Sequence, residues 1–353
     1  MIEQVAIAFE RQDYSTAAKI LKQLLKESPE NPWVQFYLGR LHEETGKRQN
    51  AEKIYRQLLH STINGKILMQ ARQGLQRLQD IKHKENIAPG TSNAENTALG
   101  LLILEPLRSE IRDKVAVKLA QVMQIDLYTA RLMLPSRSWK LYRTGQIGEL
   151  KFYGEKLQKA GISCFWATIA DIQKIQVFHV NYFAASNTQV TVVCRNHINQ
   201  LGSLTFNWSE VTAQVLGLLP IFEQVVDLNI HRQLQRKTQT QDYAQFYDLH
   251  LPGRHCILRL YDQGYEFHQG IKITSQPSQN TIRINWNSLL NWVKQQLPSV
   301  KVWSDFTPFA QTVLDQTEML GSIQSHIHLF RREETNWDPA FHLYSGLIFL
   351  KLT

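Results

Sequence analysis

Residues 31–59, NPWVQFYLGRLHEETGKRQNAEKIYRQLL, decide the fold of the N-terminal part of the chain. The pair Asn31–Pro32 is typical of a helix start, because asparagine can accept from free backbone N–H groups and proline needs no N–H there. Gly46 marks the end of that helix, since glycine adopts the left-handed conformation without a side-chain clash. Gly39 and Ala51 are small enough to let two helices cross closely. The stretch therefore predicts a helical hairpin.

Part of this stretch recurs about 34 residues earlier, which is one repeat period. The packing positions of the later copy are Leu38, Gly39, Gly46, Ala51, Tyr55 and Leu58, and those of the earlier copy are Gln4, Val5, Gln12, Ala17, Leu21 and Leu24. The earlier copy keeps the second half of the pattern and departs from the first half. In period and residue types, residues 1–80 resemble the tetratricopeptide repeat (TPR) family. The resemblance implies a helical-repeat domain that binds protein segments.

A fifth helix is predicted after the two hairpins, because Ile67, Leu68, Ala71, Leu75 and Leu78 recur at helical spacing. It lacks the repeat residues and is expected to cap the module. Two repeats and a cap are fewer than the three repeats that usually bury a solenoid core. The module is therefore expected to pack on the rest of the chain, on a second copy in a homo-oligomer, or on its partner.

The first helix of each hairpin lines the partner groove in TPR proteins. The corresponding positions here are Ile2, Ala6, Phe9, Trp33, Phe36, Arg40 and Glu43. The resemblance implies a mainly apolar groove that binds an apolar or amphipathic segment of a protein partner. Ile2 and Ala6 stand where some TPR domains use Lys and Asn to bind a C-terminal carboxylate, which argues against a chaperone-tail cofactor. The alternative interpretation is that Trp33 and Phe36 pack against the capping helix or a neighbouring domain.

The rest of the chain divides into three further parts, so the predicted fold class is multidomain. Residues 81–97 are polar and predict a solvated linker. Residues 98–175 predict a small α/β domain with the order β-α-α-β-α-β, which resembles the ribosomal L7/L12 C-terminal domain and the ClpS adaptors. Residues 176–353 predict a mainly β, PH-like barrel or sandwich in an α+β domain. A C-terminal helix over Asp338–Phe349 is expected to cover it.

Within residues 176–353, several local patterns lead to specific expectations. Thr281–Trp286 carries β-branched and aromatic residues and is predicted to be a strand. Helices are predicted over Val211–Leu219 and Ser288–Leu297, which follow the potential caps Ser209 and Asn287. Another is predicted over Pro308–Gln316. These strands and helices together define the arrangement predicted for residues 176–353.

A basic and aromatic stretch in the α/β part is the second candidate site. Its residues are Arg131, Arg137, Trp139, Lys140, Tyr142 and Arg143. Cations neutralise phosphates and flat rings stack on exposed bases, so these residue types suit a polyanion such as nucleic acid. The alternative is an ordinary solvated strand face with Trp139 in the core. A nucleic-acid- or ribosome-associated factor is thus the second functional hypothesis. A smaller cluster, Arg232, Arg236 and Lys237, would suit a phosphate if the last domain were PH-like.

The TPR-period repeat with its apolar groove makes a non-enzymatic scaffold or adaptor without a cofactor the leading hypothesis. An enzyme housed in residues 176–353 is the third hypothesis. The net charge is +8, with 12 Lys and Arg against 7 Asp and Glu in residues 98–175 and 13 of each in residues 176–353. No nucleophile elbow or glycine-rich phosphate loop occurs. His326 and His328 would share a strand face, but no further metal ligand stands at a matching spacing. Three widely spaced cysteines, no apolar run of membrane-spanning length and no leader pattern predict a cytoplasmic protein.

Overall fold

The computed structural model describes residues 2–10, 13–61, 67–68, 70–75, 77–78, 94–186, 188–228, 234–273, 281–329 and 335–353. The chain forms two compact units, residues 1–90 and 91–353. Of the predicted linker, residues 81–93 lie outside the described residues, and Ala94–Thr97 form a short 3-10 helix. The side chains of Arg232, Arg236 and Lys237 also lie outside the described part of the chain.

The first unit consists of the predicted helical hairpins. The helices are α1 (Ile2–Glu10), α2 (Tyr14–Glu27), α3 (Pro32–Glu44), α4 (Arg48–Ser61) and the described positions among residues 67–78, here called α5. The Asp13 carboxylate caps α2 by accepting from the Thr16 N–H at 3.0 Å. The Asn31 side chain likewise caps α3 by accepting from the Trp33 N–H at 3.0 Å. Gly46 adopts a φ of +77° after α3, so the predicted hairpin signals are confirmed.

The second unit begins with a three-stranded antiparallel sheet of order β2-β1-β3. Its elements are β1 (Leu99–Leu104), α6 (Arg112–Met123), α7 (Leu127–Met133), β2 (Lys140–Gln146), α8 (Ile147–Lys159), β3 (Cys164–Thr168) and the short α9 (Ile169–Gln173). The predicted order β-α-α-β-α-β is therefore present. Helix α9 is additional to it.

The remaining strands form a seven-stranded mixed sheet of order β10-β7-β8-β9-β4-β5-β6. The strands are β4 (Gln176–Ser186), β5 (Val190–Arg195), β6 (Leu201–Phe206), β7 (Ala213–Leu228), β8 (Leu234–Leu251), β9 (Cys256–Tyr261) and β10 (Val302–Trp303). The helices are α10 (Ile282–Gln296), α11 (Phe306–Ala310), α12 (Thr317–Gly321) and α13 (Trp337–Leu352). The predicted layout, a helical region followed by a mainly β region, is confirmed. The predicted C-terminal helix is α13.

The seven-stranded sheet is covered by helices on both faces, which differs from the predicted PH-like barrel or sandwich. Strand β8 shows the reason, because its side chains alternate between two buried faces. Phe246 belongs to the cluster that contains α11 and α13, whereas Tyr247 and Leu249 belong to the cluster that contains α10. Both faces therefore need a helical cover. Within the described strands the sheet is open and ends on β10 and β6.

Four local predictions in this region are wrong. Val211–Leu219, predicted to be a helix, leads into strand β7; a strand buried on both faces has no polar alternation that separates it from a helix. Thr281–Trp286, predicted to be a strand, is instead the start of α10, with Thr281 as its N-cap. The helix predicted over Pro308–Gln316 is displaced, since α11 ends at Ala310. The predicted strand at His326 and His328 is not a strand in the structure.

Residues 98–175 and 176–353, predicted as two domains, lie in one compact unit. One hydrophobic cluster contains Leu101 and Ile172 from the first part together with Val215 and Leu347 from the second. Helix α13 lies at this junction, and nearly all of its side chains from Ala340 to Phe349 are buried. A Cβ on Gly346 would lie 2.7 Å from Cγ2 of Ile172, so only glycine allows this approach of α13 to α9. None of the described helices is long and apolar enough to cross a membrane.

Helix α13 also carries a buried polar network beneath the sheet. Arg259 donates to both Asp248 carboxylate oxygens at 2.9 and 2.8 Å, and neither side chain is exposed. The Ser345 hydroxyl donates to Asp248 Oδ2 at 2.7 Å and lies 2.9 Å from His250 Nε2. His342, one turn earlier on α13, is fully buried, and neither of its ring nitrogens has a hydrogen-bond partner among the described residues.

The buried histidines should make the second unit sensitive to acid. Burial lowers the pKa of His250 to about 4 and that of His342 well below 6.5; Arg259, His326 and His250 face His342 and add to the effect. A histidine with a depressed folded pKa binds its proton first in the unfolded chain. Its contribution to stability is therefore complete above about pH 6.5 and is lost as the pH falls towards the folded pKa.

We expect His342→Leu to flatten this pH dependence, because leucine needs no partner and does not titrate. The free energy of unfolding at pH 7.5 should be unchanged or higher, since a buried group without hydrogen bonds is removed. Below pH 6.5 the variant should lose about 1.4 kcal/mol less per pH unit than the parent. Denaturant titrations at pH 7.5, 6.5 and 5.5 measure both effects. The exposed His268→Gln is the control, and parallel curves for His342→Leu and the parent chain would contradict the prediction.

Candidate functional site

The TPR-like unit has two small hydrophobic cores rather than one continuous core. The first contains Val5, Phe9, Leu21 and Val34 and joins α1, α2 and α3. The second joins α3, α4 and α5 and contains Phe36, Ala51, Tyr55, Leu58, Ile67, Ala71 and Leu78. The predicted capping role of α5 is therefore seen in the second core, where α5 buries the apolar face that a third repeat would cover.

Tyr55 lies at the centre of the second core and connects three helices. Its ring fits between two glycines: a Cβ on Gly39 would lie 2.8 Å from the ring, and one on Gly74 would lie 2.4 Å from it. The Tyr55 hydroxyl donates to Glu43 Oε2 at 2.7 Å, and Arg77 donates to both Glu43 oxygens at 2.6 and 2.9 Å. Burial, followed by the hydrogen bond to Glu43, raises the pKa of Tyr55 above its ordinary value. Tyr55 and Glu43 thereby fix α5 against α3.

The seven predicted groove residues differ in how much of each side chain a partner could reach. Phe9 and Phe36 are 5% and 4% exposed and belong to the two cores. Glu43 is held by Tyr55 and Arg77. These three residues therefore contribute first to the module's own packing, as the alternative interpretation of the sequence anticipated for Phe36.

The other four groove residues, Ile2, Ala6, Trp33 and Arg40, are partly exposed. The Arg40 guanidinium lies 4.9 Å from the centroid of the Phe9 ring, an arrangement typical of a cation–π contact. The Trp33 ring stacks on Tyr37 with a centroid distance of 6.3 Å. The accessible surface is thus smaller than the sequence predicted, and it combines apolar area with one cation. Tyr37 was not predicted, although its place one turn after Trp33 is the signal that could have indicated it.

The predicted polyanion-binding stretch does not form one basic face. Arg131 pairs with Asp113 at 3.0 Å, and Lys140 donates to the Leu132 carbonyl at 2.7 Å. Arg143 is 8% exposed and lies 3.6 Å from Glu149. These three cations are held within the α/β part.

The aromatic members of the stretch lie on opposite faces of the three-stranded sheet. Trp139 is 4% exposed in the cluster shared with α13, whereas Tyr142 packs on the cluster of α6 and α8. Arg131 and Arg137 are the exposed cations of the stretch, and Arg131 pairs with Asp113. Stacking of bases on adjacent rings is therefore not available in this arrangement.

The late histidines do not gather into a metal site in the part of the chain that the structure describes. His326 and His342 have ring centroids 5.0 Å apart, and His179 and His328 have centroids 6.1 Å apart. Among the described residues, no three His, Cys, Asp or Glu side chains meet in a way that could hold a metal ion. Burial is the main cause of the lowered pKa values of His179 and His326. The nearby positive charge of Arg259 lowers them further.

A tetratricopeptide repeat family model matches residues 8–62 of the chain. The match extends from the end of α1 to the end of α4, so this segment is a TPR segment and the predicted resemblance is confirmed. It suggests a protein-interaction module in the first unit. No curated protein and no solved structure matches the chain. The resemblance of residues 98–175 to L7/L12 and ClpS domains stays a prediction.

The contact between Tyr55 and Gly74 provides a direct test of the role of α5. We expect Gly74→Ala to weaken the packing of α5 by about 1 to 3 kcal/mol, because the new methyl group would overlap the Tyr55 ring. This loss should appear although alanine favours helix over glycine by about 1 kcal/mol. Hydrogen–deuterium exchange of α3–α5 peptides in the full chain measures it. Gln73→Ala, at an exposed neighbouring position, is the control. Unchanged protection in Gly74→Ala would show that the contact does not restrain α5.

Proposed function

We propose that the protein is a non-enzymatic scaffold or adaptor whose TPR unit captures a segment of a protein partner. The observation that carries this proposal is the TPR match over residues 8–62, on a segment that folds as capped helical hairpins. Turnover of a small molecule or a captured protein by the purified chain would contradict the non-enzymatic part of the proposal.

The contact surface proposed for the partner is formed by Ile2, Ala6, Trp33 and Arg40. Two aliphatic side chains and an indole offer apolar area, and the Arg40 guanidinium can form a bidentate pair with a carboxylate. An amphipathic segment that carries a Glu or Asp beside its apolar residues meets both requirements. Phe9 and Phe36 support this surface from beneath.

We further propose a cytoplasmic location. Cys164, Cys194 and Cys256 are buried free thiols, and free thiols of this kind are common in reducing compartments. Burial raises the pKa of Cys164 and Cys256 to about 11, which keeps both in the less reactive thiol form. Fractionation of the source cell tests this; recovery in a secreted or periplasmic fraction would contradict it.

The partner surface is tested by affinity purification from the source cell with the full-length chain. We expect Trp33→Ala with Arg40→Ala to reduce capture of the partner at least about tenfold, because interface aromatics and arginines commonly contribute about 2 kcal/mol or more. Lys22→Ala with Lys53→Ala, exposed on the second helix of each hairpin, is the matched control.

Protection of α1–α5 in hydrogen exchange must be the same in both double variants, so that loss of folding does not imitate loss of binding. Phe36→Ala is unsuitable for this test, because removing a buried phenylalanine costs about 3 to 5 kcal/mol. An identical set of captured proteins for the parent and the Trp33/Arg40 variant would overturn the proposed surface.

A further inference from the structure

A cleft of about 430 Å³ lies in the second unit, where the three-stranded sheet meets β10 and α13. Its lining comes from the segments before β2 and β3, from the segment around β10, and from α13. The volume lies within the range of about 300 to 1,000 Å³ typical of small-molecule sites. Such sites often occur where two structural layers meet, as they do here.

Three aromatic rings lie at the base of the otherwise polar cleft and are held in place by packing. Trp139 and Tyr344 are 4% and 1% exposed, and Trp303 is partly exposed. The Trp139 ring centroid lies 5.0 Å from that of Trp303 and 6.1 Å from that of Tyr344. Rings held in this way keep their positions when a ligand binds, so little conformational entropy is lost on contact.

The rim of the cleft has an excess of positive charge. Lys351 pairs with Glu105, which compensates both charges. Arg137 and Lys301 are exposed, and neither has a carboxylate within ion-pair distance among the described residues. The Lys301 ammonium instead lies 3.6 Å from the centroid of the Trp303 ring. Asp305 is the remaining acidic residue of the rim, so one positive charge is left uncompensated.

The uncompensated positive charge is confined to the cleft, and this small extent indicates a small ligand. Arg131, Lys140 and Arg143, the other cations of the basic stretch, are held by partners away from the cleft. A nucleic-acid strand needs a basic track that continues along its backbone. A confined pair of cations beside an aromatic wall suits a single small molecule instead.

We propose that this cleft binds a small organic anion, with a carboxylate or phosphate group on an aromatic or apolar body. Arg137 and Lys301 hold the anionic group, because guanidinium and ammonium groups form charge-assisted hydrogen bonds with such oxygens. The partly exposed ring of Trp303, supported by the buried rings of Trp139 and Tyr344, contacts the body of the ligand. The site lies in residues 91–353 and is independent of the TPR function proposed above.

The test uses four naphthalene probes that differ only in the polar group. The probes are 1-naphthoate, 1-naphthyl phosphate, the neutral 1-naphthamide and the cationic 1-naphthylmethylamine. Saturation-transfer NMR and tryptophan fluorescence titrations with the full-length protein measure binding. We expect at least one of the two anions to bind with a Kd at or below about 1 mM. The neutral and cationic probes should bind at least about tenfold more weakly. The stronger of the two anionic probes identifies carboxylate or phosphate as the preferred group.

Arg137→Ala with Lys301→Ala should weaken the anionic probes about tenfold or more, because the charge-assisted bonds are lost. Arg283→Ala with Lys294→Ala removes the same charges at exposed positions of α10 and should leave binding unchanged. Anion binding that persists in the Arg137/Lys301 variant would overturn the proposal. Equal binding of all four probes, or no saturable binding of either anion, would overturn it as well. Circular dichroism confirms that both variants are folded.

Discussion

The arrangement of the second unit depends on one buried ion pair, Arg259 with Asp248, between neighbouring strands β9 and β8. Moving both charges out of water costs several kcal/mol per ion, and this cost is offset only by good geometry and further hydrogen bonds. Here the pair is bidentate, and Arg259 Nη1 also donates to the carbonyl oxygens of Ser325 and His326 at 2.9 and 3.3 Å. The Ser345 hydroxyl donates a further hydrogen bond to Asp248. A displaced α13 would remove the Ser345 hydrogen bond from the buried Asp248 carboxylate.

These hydrogen bonds help to explain why α13 contacts both sheets. Ser345 fixes one side of the helix to β8 through Asp248, and Gly346 on the following position allows contact with Ile172 of α9. The three-stranded sheet is thereby held against the seven-stranded sheet through a common hydrophobic cluster. The cleft with Trp139 and Tyr344 lies at this junction of the two sheets.

A structural feature could be predicted from the sequence when the residues that determine it lie close to it along the chain. The α3–α4 hairpin was predictable because Asn31 and Gly46 act within a few residues of their own position. Strand β7 was not, since its two buried faces remove the alternation that identifies a strand. Gly74 was also missed, because nothing near it in sequence shows that Tyr55 lies against it.

The candidate sites show the same limit. The basic stretch contained the right residue types, but partners outside it take up its charges. Arg131 pairs with Asp113 on α6, and Arg143 lies beside Glu149 on α8. A count of cations overstates the free charge of a surface whenever such pairs form. Conversely, the cleft combines Arg137 with Lys301, and only the parallel pairing of β10 with β7 places the latter at the junction.

The TPR unit illustrates a conflict between folding and binding in a short repeat array. Each hairpin exposes an apolar face that a neighbouring repeat must cover, and with two repeats α5 provides that cover. The cover uses residues that a longer array would leave for its ligand: Phe36 enters the core, and Glu43 binds Tyr55 and Arg77. The more securely α5 closes the module, the fewer groove positions remain for a partner. For the proposed partner surface this favours a few strong contacts, such as the indole of Trp33 and the guanidinium of Arg40, over a broad apolar groove.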